Sequence, residues 1–308
     1  MIIPVPVVSV ICLCYNHERF LAEALDSVLA QTYPNIEIII LDDASTDNSV
    51  AIIQEYCRRF PHLQFIQNSS NLGSCRAFNR AFKQSTGKYI IDFATDDVLL
   101  PNRITEQVQC FADLPEDYGV VYTNAILINE ASQPIRPFYQ ILPNGKRYLE
   151  PVSGWIYEFL VRKYFISTPT MLIKRTVLEK LNGYNEELVY EDFDFWVRSS
   201  RYFQYYFLDK ILTKRRLHPQ QQSRQLYKKQ DKQLASTVLV CQTALQLNRT
   251  TQENAALTFR VKYEFRKAVS TCNFKEALAL AQLLQQLQSL NGVYKLAAIL
   301  IQWQQKLF

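Results

Sequence analysis

The sequence predicts an α/β fold: a mostly parallel sheet flanked by helices, followed by a C-terminal α-helical region. Three observations predict it. Short apolar runs alternate with segments of helical period over the first 113 residues. Acidic clusters stand where two of those runs end. Beyond Ser223 the chain turns to Gln, Ala and Leu, and no proline follows Pro219.

The elements follow in order. Residues 7–13 are a short apolar run, as in a strand buried on both faces. Phe20, Leu21, Ala24, Leu25, Val28 and Leu29 recur at three and four, the period of a helix, which Pro34 stops. Residues 36–41 form a second strand and end in Asp42-Asp43-Ala44-Ser45-Thr46-Asp47, a run of turn and N-cap residues. A helix to about 60, a strand over 63–66, a helix over 74–85 and a strand over 88–93 come next, the last ending in Thr95-Asp96-Asp97. After Pro101 a helix runs to about 113. Residues 119–122 and 125–128 read as strands, and 131–154 as a looser stretch with four prolines. The apolar pattern returns over 167–173 and in a helix over 190–203.

This alternation is the grammar of a parallel sheet covered on both faces, with ligands beyond the carboxyl ends of the strands. Both acidic pairs, 42–43 and 96–97, fall at such ends, which predicts that they meet at one edge. We divide the chain into 1–223, with a nucleotide-binding half (1–113) and an acceptor half (114–223), and a helical region, 224–308.

Composition narrows the chemistry. The 308 residues contain seven glycines, where ~7% usage would give about twenty, and no two lie closer than nine positions. That excludes the G-x-G-x-x-G turn and the G-x-x-x-x-G-K-[ST] loop, so any nucleotide is held another way. Seven cysteines, an odd number without a C-x-x-C pair, read as reduced small hydrophobes and suit a reducing cytosol. Cys12 and Cys14 would share one strand face. The apolar start lacks a basic region and a cleavage site, so it reads as a strand and not a signal peptide. No uncharged apolar run reaches the length of a membrane span.

The net charge of +5 is local: residues 209–232 carry eight basic side chains against two acidic ones. They form either a solvated helix face or a surface for a phosphate-rich partner, a diphosphate or an anionic bilayer. No motif for nucleic acid accompanies them.

Three constellations carry chemistry. Asp96-Asp97 after a buried strand asks for a cation, and Mg²⁺ or Mn²⁺ is commonly shared between one or two carboxylates and substrate phosphates; the alternative is a loop capping the next helix. In Tyr190-Glu191-Asp192-Phe193-Asp194-Phe195-Trp196, acids at a helix start complement its dipole, or one of them, among aromatic rings, serves as a general base. Arg216-Leu217-His218-Pro219 places a histidine inside the basic segment, either structural or facing a diphosphate or metal.

Their order resembles the family-2 glycosyltransferases, inverting enzymes of the GT-A fold, which is Rossmann-like. Val8-Ser9-Val10-Ile11 with Tyr15-Asn16 resembles the family's first strand and nucleotide loop. Leu41 to Asp47 is similar to its V-D-D-G-S-T-D, with Ala44 for glycine. Asn71-Leu72-Gly73, Asn79 and Gly87-Lys88-Tyr89-Ile90 match the next stretch, and Asp96-Asp97 with Pro101 the metal-binding motif. Leu181 to Glu186 and Glu191-Asp192 match the segment supplying the base, and Arg216-Leu217-His218 with Ser223 a tail motif. The resemblance covers about residues 7–223.

It implies roles. Tyr15 and Asn16 belong to the nucleotide loop, Tyr15 stacking on the base. Asp43 bonds the base and Asp96 the ribose. Asp97 and His218 face a Mg²⁺ or Mn²⁺ ion, and Asp192 takes a proton from the acceptor hydroxyl. Ala94 stands where many members have a third aspartate, and Phe78 where an arginine is common, so Arg76 is the substitute phosphate contact.

The implied activity is transfer of one hexosyl unit from a nucleoside-diphosphate sugar, a UDP-sugar first, to a carbohydrate or lipid-linked glycan. That serves polysaccharide, lipopolysaccharide or glycoconjugate synthesis. The Q-x-x-R-W signature of processive synthases is absent. The alternatives are a non-catalytic nucleotide-sugar-binding relative or a sugar nucleotidyltransferase. The expected location is cytoplasmic, with peripheral contact at the inner membrane face through amphipathic C-terminal helices. Phe274, Ala277, Leu278, Ala281 and Leu284 form one stripe, and Val293, Leu296, Ala297 and Leu300 another; packing within the protein is the other reading.

Overall fold

The computed structural model describes residues 5–219, 221 and 227–307. Ser223 and Arg224, from the tail motif and the basic segment, lie outside the described residues, as does the expected boundary at 223. The chain packs as two compact units. One comprises the chain up to Trp155, Phe165–Glu186 and Tyr202–His218; the other comprises Ile156–Tyr164, Glu187–Arg201 and the chain from Pro219 on.

The strands are β1 (Val8–Cys14), β2 (Ile36–Asp42), β3 (Gln64–Gln67), β4 (Tyr89–Ala94), β5 (Val98–Leu99), β6 (Tyr118–Ile128), β7 (Pro134–Pro137), β8 (Leu172–Lys174) and β9 (Gln204–Arg216). The helices are α1 (Leu21–Leu29), α2 (Ser49–Arg59), α3 (Ser74–Phe82), α4 (Arg103–Ala112), α5 (Tyr157–Arg162), α6 (Arg175–Leu181), α7 (Asp192–Ser199), α8 (Lys232–Leu247), α9 (Thr251–Ser270), α10 (Phe274–Gln286) and α11 (Gly292–Leu307). α5 and α7 to α11 belong to the second unit.

All nine strands form one sheet in the first unit, ordered β3-β2-β1-β4-β8-β6-β9-β5, with β7 on β6. The run β3-β2-β1-β4 is wholly parallel. Beyond it β8 pairs antiparallel with β4 and β6, β5 antiparallel with β9, and β6 parallel with β9. The register sets Cys14 beside Asp42 and Leu13 beside Ala94. β1 therefore stands between the two acid-bearing ends, and the pairs 42–43 and 96–97 share one edge.

The core follows from the side-chain periods. Val8, Val10, Cys12 and Cys14 point to one face of β1 and pack with Ile38 and Ile40 and with Leu21, Ala24, Leu25 and Val28 of α1. Cys12 and Cys14 do share that face, and all seven cysteines are free. In the second unit Thr250 caps α9 through a reciprocal bond with Glu253, and Asp231 caps α8 by accepting from Gln233 N–H. Ala277, Ala281 and Leu284 of α10 are buried, so that stripe packs within the protein. On α11 Val293, Leu296 and Leu300 are exposed.

Two readings change. Residues 119–122 and 125–128 lie on one strand, β6, whose register against β9 shifts around Asn124. The basic segment is not a helix face where it begins: its first residues lie on β9. Lys210 there pairs with Glu106 at 2.6 Å, and Arg216 is completely buried.

Glycine is required where α6 ends. Asn182 and Gly183 both take left-handed backbone, φ +57° and +76°. A Cβ on Gly183 would stand 2.4 Å from Asn79 Oδ1. Ala44 also adopts φ +62°, a conformation that costs an L-residue about 1–2 kcal/mol. Gly183→Ala should therefore lower unfolding free energy in urea by about 2–4 kcal/mol. Ala44→Gly should change it in the opposite direction, by less than about 1 kcal/mol, because glycine also frees the unfolded chain.

Candidate functional site

The carboxyl edge of β2, β1 and β4 gathers the acidic motifs of the first unit. Here the β1 loop locks to the β2 loop. Asn16, in left-handed backbone, donates its N–H to Ser45 Oγ at 2.9 Å and accepts from Thr46 N–H at 2.8 Å. Tyr15 beside it is 45% exposed, a ring left available for stacking. Asp43 is buried and turned to its own chain. Its Oδ1 accepts from Asn68 Nδ2 at 2.7 Å and Leu72 N–H at 2.8 Å, and its Oδ2 from Gly73 N–H at 2.9 Å. A carboxylate accepts about four such bonds, so Asp43 orders the 68–73 loop with one acceptor site to spare.

The β4 end carries the denser chemistry. Asp96 and Asp97 are both buried. Asp96 Oδ2 lies 3.0 Å from His218 Nε2. Asp97 Oδ1 accepts from the Arg216 N–H at 2.8 Å. The Arg216 guanidinium continues the same knot. It donates to the Asp96 carbonyl at 2.8 Å, the Asn129 carbonyl at 3.1 Å and Glu23 Oε2 at 2.6 Å, and stands 4.6 Å from the Phe20 ring centre. His17 reaches in from the β1 loop, its Nδ1 2.9 Å from Thr95 Oγ1. Sequence reasoning did not single out His17, and it gave Arg216, part of the basic segment and the tail motif, no role of its own.

Electrostatics separates the two aspartates. Burial acts to raise Asp96, but the His218 hydrogen bond and the charges of His17 and His218 outweigh it and hold that carboxyl below its ordinary range. Burial first, and the Asp96 charge second, push Asp97 well above it, against the Arg216 N–H and the charges of Arg215 and Arg216. Burial likewise lowers His17, which the Asp96 charge opposes.

His218 Nδ1 is buried with no hydrogen-bond partner among the described residues. With Nε2–H donating to Asp96, Nδ1 would present a lone pair. That lone pair and an Asp97 carboxyl that resists ionising are groups a divalent cation would satisfy. Among the described residues no three His, Cys, Asp or Glu side chains converge to cage a metal. The donors present fit an ion that takes its remaining ligands from a diphosphate and water.

Arg76, on the first turn of α3, is about half exposed and 4.0 Å from Glu186. Phe78 is buried and stacks on Tyr184 at 4.2 Å. Asn79 joins the same group, accepting from Tyr184 N–H at 2.9 Å and donating to the Tyr184 carbonyl and Glu186. Tyr184 donates to Asp92 at 3.0 Å. Phe78 thus has a packing role in place of a phosphate contact.

Asp192 belongs to the second unit, as the first residue of α7. Its Oδ1 accepts from Phe193 N–H at 2.7 Å. Asp194, two residues on, is buried and bound to Arg198 at 2.6 Å. The structure therefore brings Tyr15, Asn16, Asp43, Asp96, Asp97 and His218 to one edge of one unit, places Arg76 on α3 of that unit, and places Asp192 in the other.

The sequence model described as Glycosyl transferase family 2 matches residues 9–181, and the chain belongs to that family. An uncharacterized glycosyltransferase of Rickettsia prowazekii is 32% identical over 217 residues, 70% of this chain and 65% of the relative. Another, from Methanocaldococcus jannaschii, is 30% identical over 63% of this chain and 64% of its own length. The chain thus spans a little under two thirds of these curated relatives. Among solved structures, S. aureus TarS 1–349 in complex with UDP aligns with TM-score 0.70 at 16% identity, covering 96% of this chain and 88% of that one. The mannosyltransferase PcManGT of Pyrobaculum calidifontis, in complex with GDP-Man and Mn²⁺, aligns at 0.60 and 17%, covering 98% and 80%. These likenesses show the GT-A type fold.

The raised Asp97 carboxyl fixes a sign. An acid whose folded pKa lies above its unfolded value contributes stability at low pH and loses it as pH rises through the folded value. Asp97→Asn should therefore raise the melting temperature at pH 7 in metal-free buffer. MnCl₂ should raise it in the unsubstituted protein through mass action and leave Asp97→Asn unmoved. Differential scanning fluorimetry with and without EDTA reads both.

Proposed function

We propose that the chain is an inverting, metal-dependent transferase that moves one hexosyl unit from a nucleoside-diphosphate sugar, a UDP-sugar in the first instance, to an acceptor hydroxyl. The acceptor is a carbohydrate or lipid-linked glycan in polysaccharide, lipopolysaccharide or glycoconjugate synthesis. The observation that carries this reading is the buried Asp96–His218 pair beside the buried Asp97 carboxyl, at the edge that also bears Tyr15 and Asp43.

In this reading Tyr15 stacks on the base and Asn16 holds its loop in place. Asp43 meets the base with its remaining acceptor site, and Asp96, kept ionised, accepts from the ribose. Asp97 and His218 would hold Mg²⁺ or Mn²⁺, which when bound supplies positive charge against the diphosphate. Arg76, half exposed on α3, is the proposed phosphate contact.

Asp192 takes the proton of the acceptor hydroxyl. The hydroxyl oxygen then bonds to the anomeric carbon on the face opposite the diphosphate. The bond to the diphosphate oxygen breaks, its electron pair leaves with the diphosphate, and the configuration inverts. Asp194 is spoken for by Arg198, which supports Asp192 as the base. The alternatives remain a non-catalytic nucleotide-sugar-binding relative, favoured by Ala94 and Phe78, and a sugar nucleotidyltransferase.

No helix among the described residues is long and apolar enough to cross a membrane. The exposed Val293, Leu296 and Leu300 of α11 suit peripheral contact with an anionic bilayer, and we place the protein in the cytoplasm, at the inner membrane face.

A panel of UDP- and GDP-sugars with MnCl₂, read by thermal shift, should identify the donor. With that donor, Asp192→Asn should cut nucleoside diphosphate release by about 10²–10⁴-fold while leaving the donor's thermal shift unchanged. Undiminished release in that variant would remove Asp192 as the base; no release by the unsubstituted protein from any donor would favour the non-catalytic reading, and pyrophosphate release from a nucleoside triphosphate the nucleotidyltransferase.

A further inference from the structure

The second unit contains a buried ion pair that the proposed chemistry does not use. Arg260 and Glu264 lie one turn apart on α9, Nη1 to Oε1 3.2 Å, at 4% and 1% exposure. Such a pair is weak evidence for stability, because desolvation offsets much of the attraction. Its surroundings are therefore informative.

The Arg260 guanidinium stands 3.9 Å from the Tyr164 ring centre and 5.2 Å from that of Phe193. Tyr164 meets Phe193 edge-on at 4.9 Å and Trp196 at 5.9 Å. Phe193 is the residue after Asp192, and its N–H donates to the Asp192 carboxylate. Arg260 Nε donates to the Val161 carbonyl at 3.3 Å, and Nη2 has no hydrogen-bond partner among the described residues. The guanidinium is thus held chiefly by two ring faces and one carboxylate.

Other groups close the shell. Tyr190 bonds Thr237 of α8 at 2.6 Å and also Tyr164. Tyr227 meets Glu264 Oε2 at 3.1 Å, and Cys241 of α8 and Asp231 lie within the field of the pair. The Asp192 charge is felt by both Tyr164 and Tyr190.

We propose that Arg260 is a positioning residue for the base Asp192, acting through Tyr164 and Phe193, and that Glu264 balances its charge so that Asp192 sits beside a neutral pair. The inference rests on Asp192 being the base. It gives the C-terminal helices a part in the reaction: Arg260 of α9 reaches Phe193 in the first turn of α7, and Thr237 of α8 bonds Tyr190 just before it. Removing either member of the pair leaves one buried charge in that shell, and the two removals have opposite sign. Glu264→Gln leaves a cation that favours ionised Asp192. Arg260→Gln leaves an anion, or at least removes a cation, and disfavours it.

The test is the pH dependence of kcat for nucleoside diphosphate release from UDP-GlcNAc, UDP-Glc, UDP-Gal and GDP-Man, each with MnCl₂ and water as acceptor. Glu264→Gln should move the acid limb to lower pH and Arg260→Gln to higher pH, each on the order of half a unit. The donor KM should stay within about twofold, and Arg260→Lys should restore part of the shift. Loss of kcat in both variants with the limb unmoved, or movement in one shared direction, overturns the inference. If Arg260→Gln does not fold by circular dichroism, Glu264→Gln decides alone: its limb must fall. Asp192→Asn separates the two levels. Activity and an acid limb retained in that variant contradict Asp192 as the base, on which the inference rests; no release by the unsubstituted protein from any donor contradicts the transferase reading itself.

Discussion

The constraint on which the first unit depends is the burial of two adjacent carboxylates at the end of β4. Asp96 and Asp97 cannot both be desolvated and ionised without compensation. The structure answers each differently. Asp96 receives an imidazole and stays ionised; Asp97 receives a backbone N–H and is pushed toward its neutral form. Both answers come from the end of β9, where Arg216 and His218 lie two residues apart. Arg216 then spends its charge on Glu23 and on carbonyls, joining α1, the β4 loop and the 129–132 turn in one buried knot.

The same economy suits the proposed nucleotide site, which has few glycines. Phosphate-cradling loops need glycine because backbone approaches the ligand closely. Here side chains present themselves at the edge of a parallel sheet, and packing demands glycine at 87, 119 and 183. Gly183 leaves room for Asn79, which fixes the 184–186 turn. Gly87 sits against Ser9, where a Cβ would stand 2.5 Å from the Ser9 backbone nitrogen.

Much of this was legible in the sequence. The alternation up to α4, β5 apart, was plain because β1, β2 and β4 are mostly apolar and the helices between them keep their period. The two acidic clusters announced their shared edge because both follow such runs. β9 was not legible. Seven of its thirteen residues, Gln204–Arg216, are polar or charged, and its pairing with β6 supplies an order that composition does not show. Arg216 reads as part of the basic segment and the tail motif, since nothing local reveals that its partners are Glu23 and distant carbonyls. Phe78 read as a missing arginine and is a core ring against Tyr184. Asp192 could be named by motif, but that α7 packs in the unit of α8 to α11 depends on contacts distant in sequence, such as Tyr190 with Thr237 and Phe193 with Arg260.

The most direct test of the central claim is a crystal structure with UDP and MnCl₂, with manganese located by its anomalous scattering. The account predicts one manganese bound by Asp97 and His218 Nδ1 and by diphosphate oxygens, with the uracil against Tyr15 and the ribose on Asp96. A nucleotide seated elsewhere, or bound at this edge with His218 still paired only to Asp96 and no manganese on Asp97, would contradict it.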